Sequence, residues 1–255
     1  MSASLISSIG LEEQDFIDKF IFVSEEQNSD ANFVVSSWIM KAIQEESNVV
    51  LLTLHNSFSH YQNVILKQGC NLTALQESDR LVVIEPMKNI VKSLMDQIED
   101  ELNFYELKGD NGLKHLFLNL ENIIKTKWNN RKVYLIIDDT SDFLALGIQT
   151  KDLIIFLKYC LNLRNYYKNI TIVVCSHFSQ NNEQQQVLVN AMNHISDIRI
   201  SVSGLKTGFS ADVTGCIAIS RKNILKQELW YKPNIFHFKL NDRHIKVFAI
   251  GSVIT

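Results

Sequence analysis

Proline and glycine are scarce, at two and nine residues in 255. A chain this poor in both has little material for flexible linkers, collagen-like repeats or low-complexity tracts, so it reads as a single domain, 1–255, with 1–15 as a flexible N-terminus. Cysteine is equally sparse: Cys70, Cys160, Cys175 and Cys216 lie far apart, with no CxxC pair. That spacing suits neither a disulfide framework nor a zinc site, and Cys160 and Cys175 sit in apolar runs where a thiol behaves as a small hydrophobe. No apolar run approaches the ~18 residues of a membrane span. Met1–Gly10 has no basic start and no long apolar stretch, so no secretory leader is expected. The expectation is a soluble protein of a reducing compartment.

What is present looks ordinary in bulk. Hydrophobic residues make up 46% and charged residues 21%, which excludes a disordered chain and a coiled-coil rod. Net charge is −3 and the isoelectric point about 6.2, against a dedicated nucleic-acid coat protein but leaving room for a local basic patch. The charge is unevenly placed. Residues 1–110 carry seven Lys/Arg against 18 Asp/Glu, and residues 111–255 carry 18 against ten. A fold that separates these parts is electrically polar.

Five short apolar runs read as strands buried on both faces, as in a parallel sheet: Phe20–Val23, Val49–Leu54, Leu81–Ile84, Val133–Ile137 and Ile170–Val174. Helical spacing recurs over Ala31–Glu46, Lys88–Leu102, Leu113–Trp128 and Asp152–Tyr166. The last fifth is strand-like at Ile198–Val202, Val213–Ser220, Ile235–Leu240 and His244–Ile250, with a hairpin at Asn241-Asp242. The fold class is therefore α/β, with a mostly parallel sheet flanked by helices and finished by antiparallel strands. RecA-type ATPases have this architecture, among others.

A nucleotide-binding fold of this kind follows its first strand with a glycine-rich loop, whose backbone N–H groups close around phosphate, and a lysine. Here that loop reads Glu25-Glu26-Gln27-Asn28-Ser29-Asp30, with three carboxylates, no glycine and no lysine. No glycine occurs between Gly10 and Gly69. A self-sufficient triphosphate site is excluded, and so is a GxGxxG dinucleotide site. The companion feature survives: VYLIIDD puts Asp138, followed by Asp139, at the end of a buried strand, where a magnesium-holding carboxylate belongs in an ATPase. The bland alternative is a cap for the helix containing Phe143–Leu146.

Other chemistry is thin. His55 and His60 flank Ser57 and Ser59, but no nucleophile elbow or acid accompanies them, and a serine there suits a helix cap. No metal site, cofactor or catalytic residue is assigned. Arg221-Lys222 follow a strand, where cations can reach a neighbouring subunit's nucleotide or simply face solvent. The polar stretch Ser179–Gln186 follows the fifth strand as a mobile loop running into a helix. Its Ser179, Gln180, Asn181 and Asn182 are positional candidates for RNA contact, although it carries no Lys or Arg. The glycines of SGLKTGFSADVTG permit sharp reversal, with Thr207 and Asp212 placed to fix the turn.

Three segments together resemble the family of Elongator complex subunit 6. They are NSFSHYQNVILKQGCNLT (56–73), LIIDDTSDFLALG (135–147) and SGLKTGFSADVTG (203–215). The resemblance spans roughly residues 18–250. It implies a RecA-like fold without the ATPase motifs, assembling with subunits 4 and 5 into a hexameric ring that joins the larger Elongator subunits. It further implies tRNA binding by the ring and support of C5 carboxymethyl-type modification of the wobble uridine (U34), by a non-catalytic subunit in the cytoplasm and also the nucleus. Ser57, Phe58, Ser59, His60, Tyr61, Gly204, Thr207, Gly208, Phe209 and Asp212 then become interface or structural motif residues. Two alternatives stay open: an ATPase with sites shared between neighbours, using Asp138 and Arg221 or Lys222, and a RecA-paralogue scaffold in DNA repair.

Overall fold

The computed structural model describes residues 5–11, 16–26, 28–88, 112–205, 208, 210–222, 230–241 and 244–249. The expected helix at Lys88–Leu102 falls almost wholly outside them, as do Thr207, Phe209 and Asp242. Nine strands form one sheet: β1 (Phe20–Glu26), β2 (Asn48–Leu52), β3 (Leu81–Ile84), β4 (Val133–Ile137), β5 (Ile170–Phe178), β6 (Ile198–Ser203), β7 (Gly215–Arg221), β8 (Asn234–Leu240) and β9 (Ile245–Ala249). Their spatial order is β3-β2-β4-β5-β1-β6-β7-β8-β9. The first six are parallel, and β7, β8 and β9 continue the sheet antiparallel. The class is the expected one, a mostly parallel α/β sheet consistent with a RecA-like fold. One strand differs in its pairing: β6, which the sequence places with the antiparallel last fifth, pairs parallel with β1 from Ile21–Ile198 to Glu25–Val202.

Alternation along the parallel strands explains their apolar composition. Ile21 and Val23 of β1 pack on one side of the sheet while Phe20 and Phe22 pack on the other. In β4, Tyr134 and Ile136 face opposite to Val133, Leu135 and Ile137. Two cores result, one on each face, giving three layers. The first core is covered by α1 (Leu5–Ser8), α2 (Asn32–Gln44), α3 (Phe58–Leu66) and α4 (Leu72–Glu77). The second is covered by α5 (Gly112–Lys127), α6 (Ser141–Ala145), α7 (Thr150–Tyr166) and α8 (Glu183–Ile195). Within the expected flexible N-terminus 1–15, the described residues are ordered. Leu5, Ile6, Ile9 and Leu11 are buried in the first core beside Phe16 and Trp38.

Helix starts follow sequence chemistry. Ser57 caps α3, its hydroxyl accepting the His60 amide at 3.3 Å. Asn71 caps α4 through the Thr73 amide at 3.0 Å, and Asn182 caps α8 through the Gln185 amide at 3.2 Å. Some strand ends run further than the apolar pattern. β5 continues through His177 to Phe178 because β1 extends to Glu26 and supplies partners along its length. β2 instead stops at Leu52, and Leu54 turns its amide to the side chain of Asp138, just past β4.

Candidate functional site

In an open parallel sheet, ligands sit beyond the carboxyl ends of the strands. Here that edge is closed by the protein's own side chains. At its centre is Asp138, just past β4 and almost fully buried. Its Oδ1 accepts the amides of Leu54 (2.6 Å), Asp139 (2.8 Å) and His55 (3.3 Å). Its Oδ2 accepts the Asn56 amide at 3.0 Å and the Tyr61 hydroxyl at 3.3 Å. Burial raises the carboxyl to about 6, against the opposing pull of the three amide hydrogen bonds from residues 54–56. The same burial, with Asp138 beside it, pushes the Tyr61 phenol well above its ordinary value. Asp138 therefore ties β4 to the loop after β2 and to α3.

Asp139 makes the next tie. Its Oδ1 accepts the Ser141 amide at 2.8 Å, the first amide of α6, and the His177 amide at 3.2 Å, which reaches β5. Burial raises this carboxyl too. Thr140 is the N-cap of α6 and makes no side-chain cap bond; Asp139, one residue before it, accepts the first helical amide instead, whereas Asp138 holds a loop.

The first loop has a similar device. In a phosphate-binding fold, the amides opening α2 would point at phosphate. Glu25 occupies that role here: its Oε2 accepts the Ala31 amide at 2.6 Å, and its Oε1 lies 3.1 Å from His177 Nδ1. Asp30 Oδ1 accepts the next amide, Asn32, at 2.7 Å. Two carboxylates stand where a ligand phosphate would stand, so the residues present do not fit a nucleotide. Glu85 beyond β3 completes the edge by accepting the Phe58 amide at 2.9 Å, and Asn56 Nδ2 donates to Asn32 Oδ1 at 2.7 Å.

Among the described residues, one group of side chains has metal-ligating types: His55, Asp139 and Asp142, with donor atoms within 4.8 Å of one another. His55 Nδ1 is 3.2 Å from Asp142 Oδ2. Partial burial lowers the imidazole's proton affinity, but Asp142, Asp139 and Asp138 together outweigh it and the net direction is upward. His55 is hydrogen-bonded to Asp142, and Asp139 already serves two amides.

The other expected residues scatter. Arg221 lies at the far end of β7, opposite Ile198, at the amino ends of the parallel strands. It faces away from Asp138, and its guanidinium donates to Gly10 O at 2.6 Å. Lys222 Nζ donates to His194 O at 3.0 Å, and Trp230 lies under Arg199 with the Arg199 guanidinium carbon 3.3 Å from its ring centre. Both cations tie the end of β7 to its own chain. Ser179, Asn181 and Asn182 are bound up locally: the Ser179 amide goes to Gln185 Oε1 at 3.0 Å, and the Asn181 amide to Ser179 Oγ at 3.4 Å. Gln180 O accepts from Gln186 Nε2. The stretch is shorter than expected, because α8 begins at Glu183.

The serine-rich motif is built around Tyr61, buried on Asp138. Phe58 packs partly against the first core, and Ser59 is exposed. His60 meets the Tyr61 ring edge-on at 5.4 Å. In the glycine motif, Gly208 takes φ +89, a true turn glycine, while Gly204 approaches Asn28 O. Gly215 is different: it lies in β7, and a Cβ there would stand 2.5 Å from Ser203 O. Asp212 holds the turn by its amide on Ser210 Oγ (3.2 Å), and its carboxylate reaches Lys239 at 3.9 Å. Sequence reasoning missed Glu25, Glu85 and His177 as ties, since each acts across strands far apart in the chain.

Comparison with known proteins agrees with the three motifs. The sequence model of the family described as Elongation complex protein 6 matches residues 4–242. Elongator complex protein 6 of Xenopus laevis is 26% identical over 243 residues, covering 92% of this chain and 91% of the relative. The human protein of that name is 27% identical over 241 residues (88% and 87%), and the Drosophila melanogaster one 24% over 262 residues (99% and 98%). Among the described residues no helix is long and apolar enough to cross a membrane. A match over nearly the whole chain, on a sheet whose phosphate-binding edge is closed by its own carboxylates, places the chain in the Elongation complex protein 6 family.

Proposed function

We propose that this chain is a non-catalytic subunit of the Elongator complex. It assembles with subunits 4 and 5 into a hexameric RecA-like ring, which joins the larger Elongator subunits, binds tRNA and supports C5 modification of the wobble uridine. The chain works in the cytoplasm and the nucleus. Family membership supports the reading, and one observation carries the non-catalytic part: Glu25 and Asp30 occupy the amides that open α2. A subunit closed in this way supplies shape and contacts to a ring, while chemistry belongs to other chains. Its motif residues then serve assembly in two layers. Ser57, Tyr61 and Gly215 set the fold of the edge, and Ser59, His60, Gly208 and Asp212 present its surface.

The test is affinity purification of the tagged chain from its own cells, with mass spectrometry of everything retained. Two RecA-like partners together with the larger Elongator subunits are expected, and loss of the chain should remove wobble-uridine carboxymethyl groups. Recovery of recombination factors, or of the chain alone, would refute the reading.

A further inference from the structure

The sheet separates charge along its strands. The carboxyl edge holds Glu25, Glu26, Asp30, Glu85, Asp138, Asp139 and Asp142, and the Ser179–Asn182 stretch that was the expected RNA contact lies on that edge with no cation of its own. The opposite edge carries a cluster of cations beside Asp18, Asp79 and Asp197. The segment Lys125-Thr126-Lys127-Trp128-Asn129-Asn130-Arg131-Lys132 ends α5 and feeds β4, and Lys168 leads into the neighbouring β5. The Val133 amide bonds Asn169 O at 3.0 Å, which brings Arg131 and Lys132 beside Lys168. Lys19 leads the next strand over, its carbonyl accepting the Ile172 amide at 2.9 Å. Adjacent strands lie about 4.8 Å apart, so these cations form a short row.

Three details make the row a binding surface rather than scattered charge. Its turn is anchored, since Trp128 is buried and its indole donates to Asp79 O at 2.9 Å. Most acids near it are engaged: Asp79 with Lys127 (2.7 Å), Asp197 with Arg164 (2.8 Å), Glu45 with Lys41 (3.2 Å), and Asp18 with the Ile170 amide (3.1 Å). Lys125, Arg131, Lys132 and Lys168 have no ion pair among the described residues. Finally, Tyr166 is 81% exposed two residues before Lys168. An exposed aromatic two residues from one of a row of cations is the chemistry that takes a phosphodiester backbone and stacks a base.

We propose that the Lys125–Lys132 turn, with Tyr166 and Lys168, is this chain's RNA contact, at the amino ends of β4 and β5 and away from the Ser179 loop. The assignment rests on the reading of the ring as a tRNA binder. Its test uses the assembled ring, purified with R131E/K132E/K168E or with wild-type chain, and labelled tRNA titrated by fluorescence anisotropy over a series of KCl concentrations. The triple variant should bind at least about tenfold more weakly, with a log–log salt slope shallower by about 2. Y166A should weaken binding several-fold and leave the slope unchanged, because stacking carries no counterions. A ring with the triple variant that keeps wild-type affinity and slope would overturn the proposal. Failure of the triple variant to enter the ring would also overturn it, by identifying the patch as a protein contact. A wild-type ring that binds no tRNA at any salt would refute the ring reading itself.

Discussion

Replacing Asp138 with alanine is the sharpest test of how the carboxyl edge is held. The substitution orphans five donors. The amides of His55 and Asn56 reach water, but those of Leu54 and Asp139 and the Tyr61 hydroxyl are buried. At about 1–2 kcal/mol for each buried orphan, the loss is about 3–6 kcal/mol. Against it stands the cost of burying a charge. The carboxyl ionises at about 6 when folded, against an ordinary value of 3.8. A carboxyl raised by folding binds its proton more tightly in the native state, so its contribution is fully present below the unfolded value and is lost as pH rises through about 6. The linkage relation gives the wild type about 2 kcal/mol more stability from this group at pH 4.5 than at pH 7.5. Asp138→Ala should therefore lose about 1–4 kcal/mol near pH 7.5, and about 2 kcal/mol more near pH 4.5. Urea unfolding of both proteins across this range measures the difference, in which the other carboxylates largely cancel. A difference that is flat with pH, or that shrinks toward acid, would refute the account of Asp138 as a charge held by its donors against burial.

Gly215→Ala should destabilise by about 2 kcal/mol or more, since the new Cβ would meet Ser203 O at 2.5 Å and the Phe238 ring at 2.9 Å; a melting temperature equal to wild type would disprove the close approach. Cys160 and Cys175 should stay unreactive to a thiol reagent until the protein unfolds. Both are buried, and burial pushes both thiols far above their ordinary range. Rapid labelling of all four cysteines under native conditions would contradict the two-core packing.

Much of the sheet was legible because period and burial agree. Leu81–Ile84 and Val133–Ile137 are apolar at every position, and each is a strand with those bounds. Where the bounds slipped, a partner strand or a distant side chain decided them. β5 runs to Phe178 because β1 is there to pair with it, and β2 ends early because Asp138 takes the Leu54 amide. The edge itself was half legible. Three carboxylates in the first loop were enough to exclude a phosphate. Nothing in the local pattern shows that Glu25 turns back onto the Ala31 amide, or that His177, 152 residues away, holds its other oxygen. Long-range pairs leave no period in a sequence. Arg221 and Lys222 were read as free cations for the same reason: their acceptors, Gly10 O and His194 O, come from segments that only the fold brings near.

The uneven charge along the chain acquires its meaning from topology. In a parallel sheet, every strand leaves the same edge and every return segment enters the opposite one. Acidic residues at or just past the carboxyl ends of strands, such as Glu25, Glu26, Asp138 and Asp139, therefore gather on one edge. Cations placed just before strands, such as Lys19, Arg131, Lys132 and Lys168, gather on the other. The edge that binds phosphates in an active relative of this fold is here both sealed and negative, so it repels a polyanion. The edge with no part in nucleotide chemistry is the positive one. If this subunit touches nucleic acid, charge alone directs that contact to the turn before β4, where Trp128 fixes the backbone and leaves the flanking cations in water.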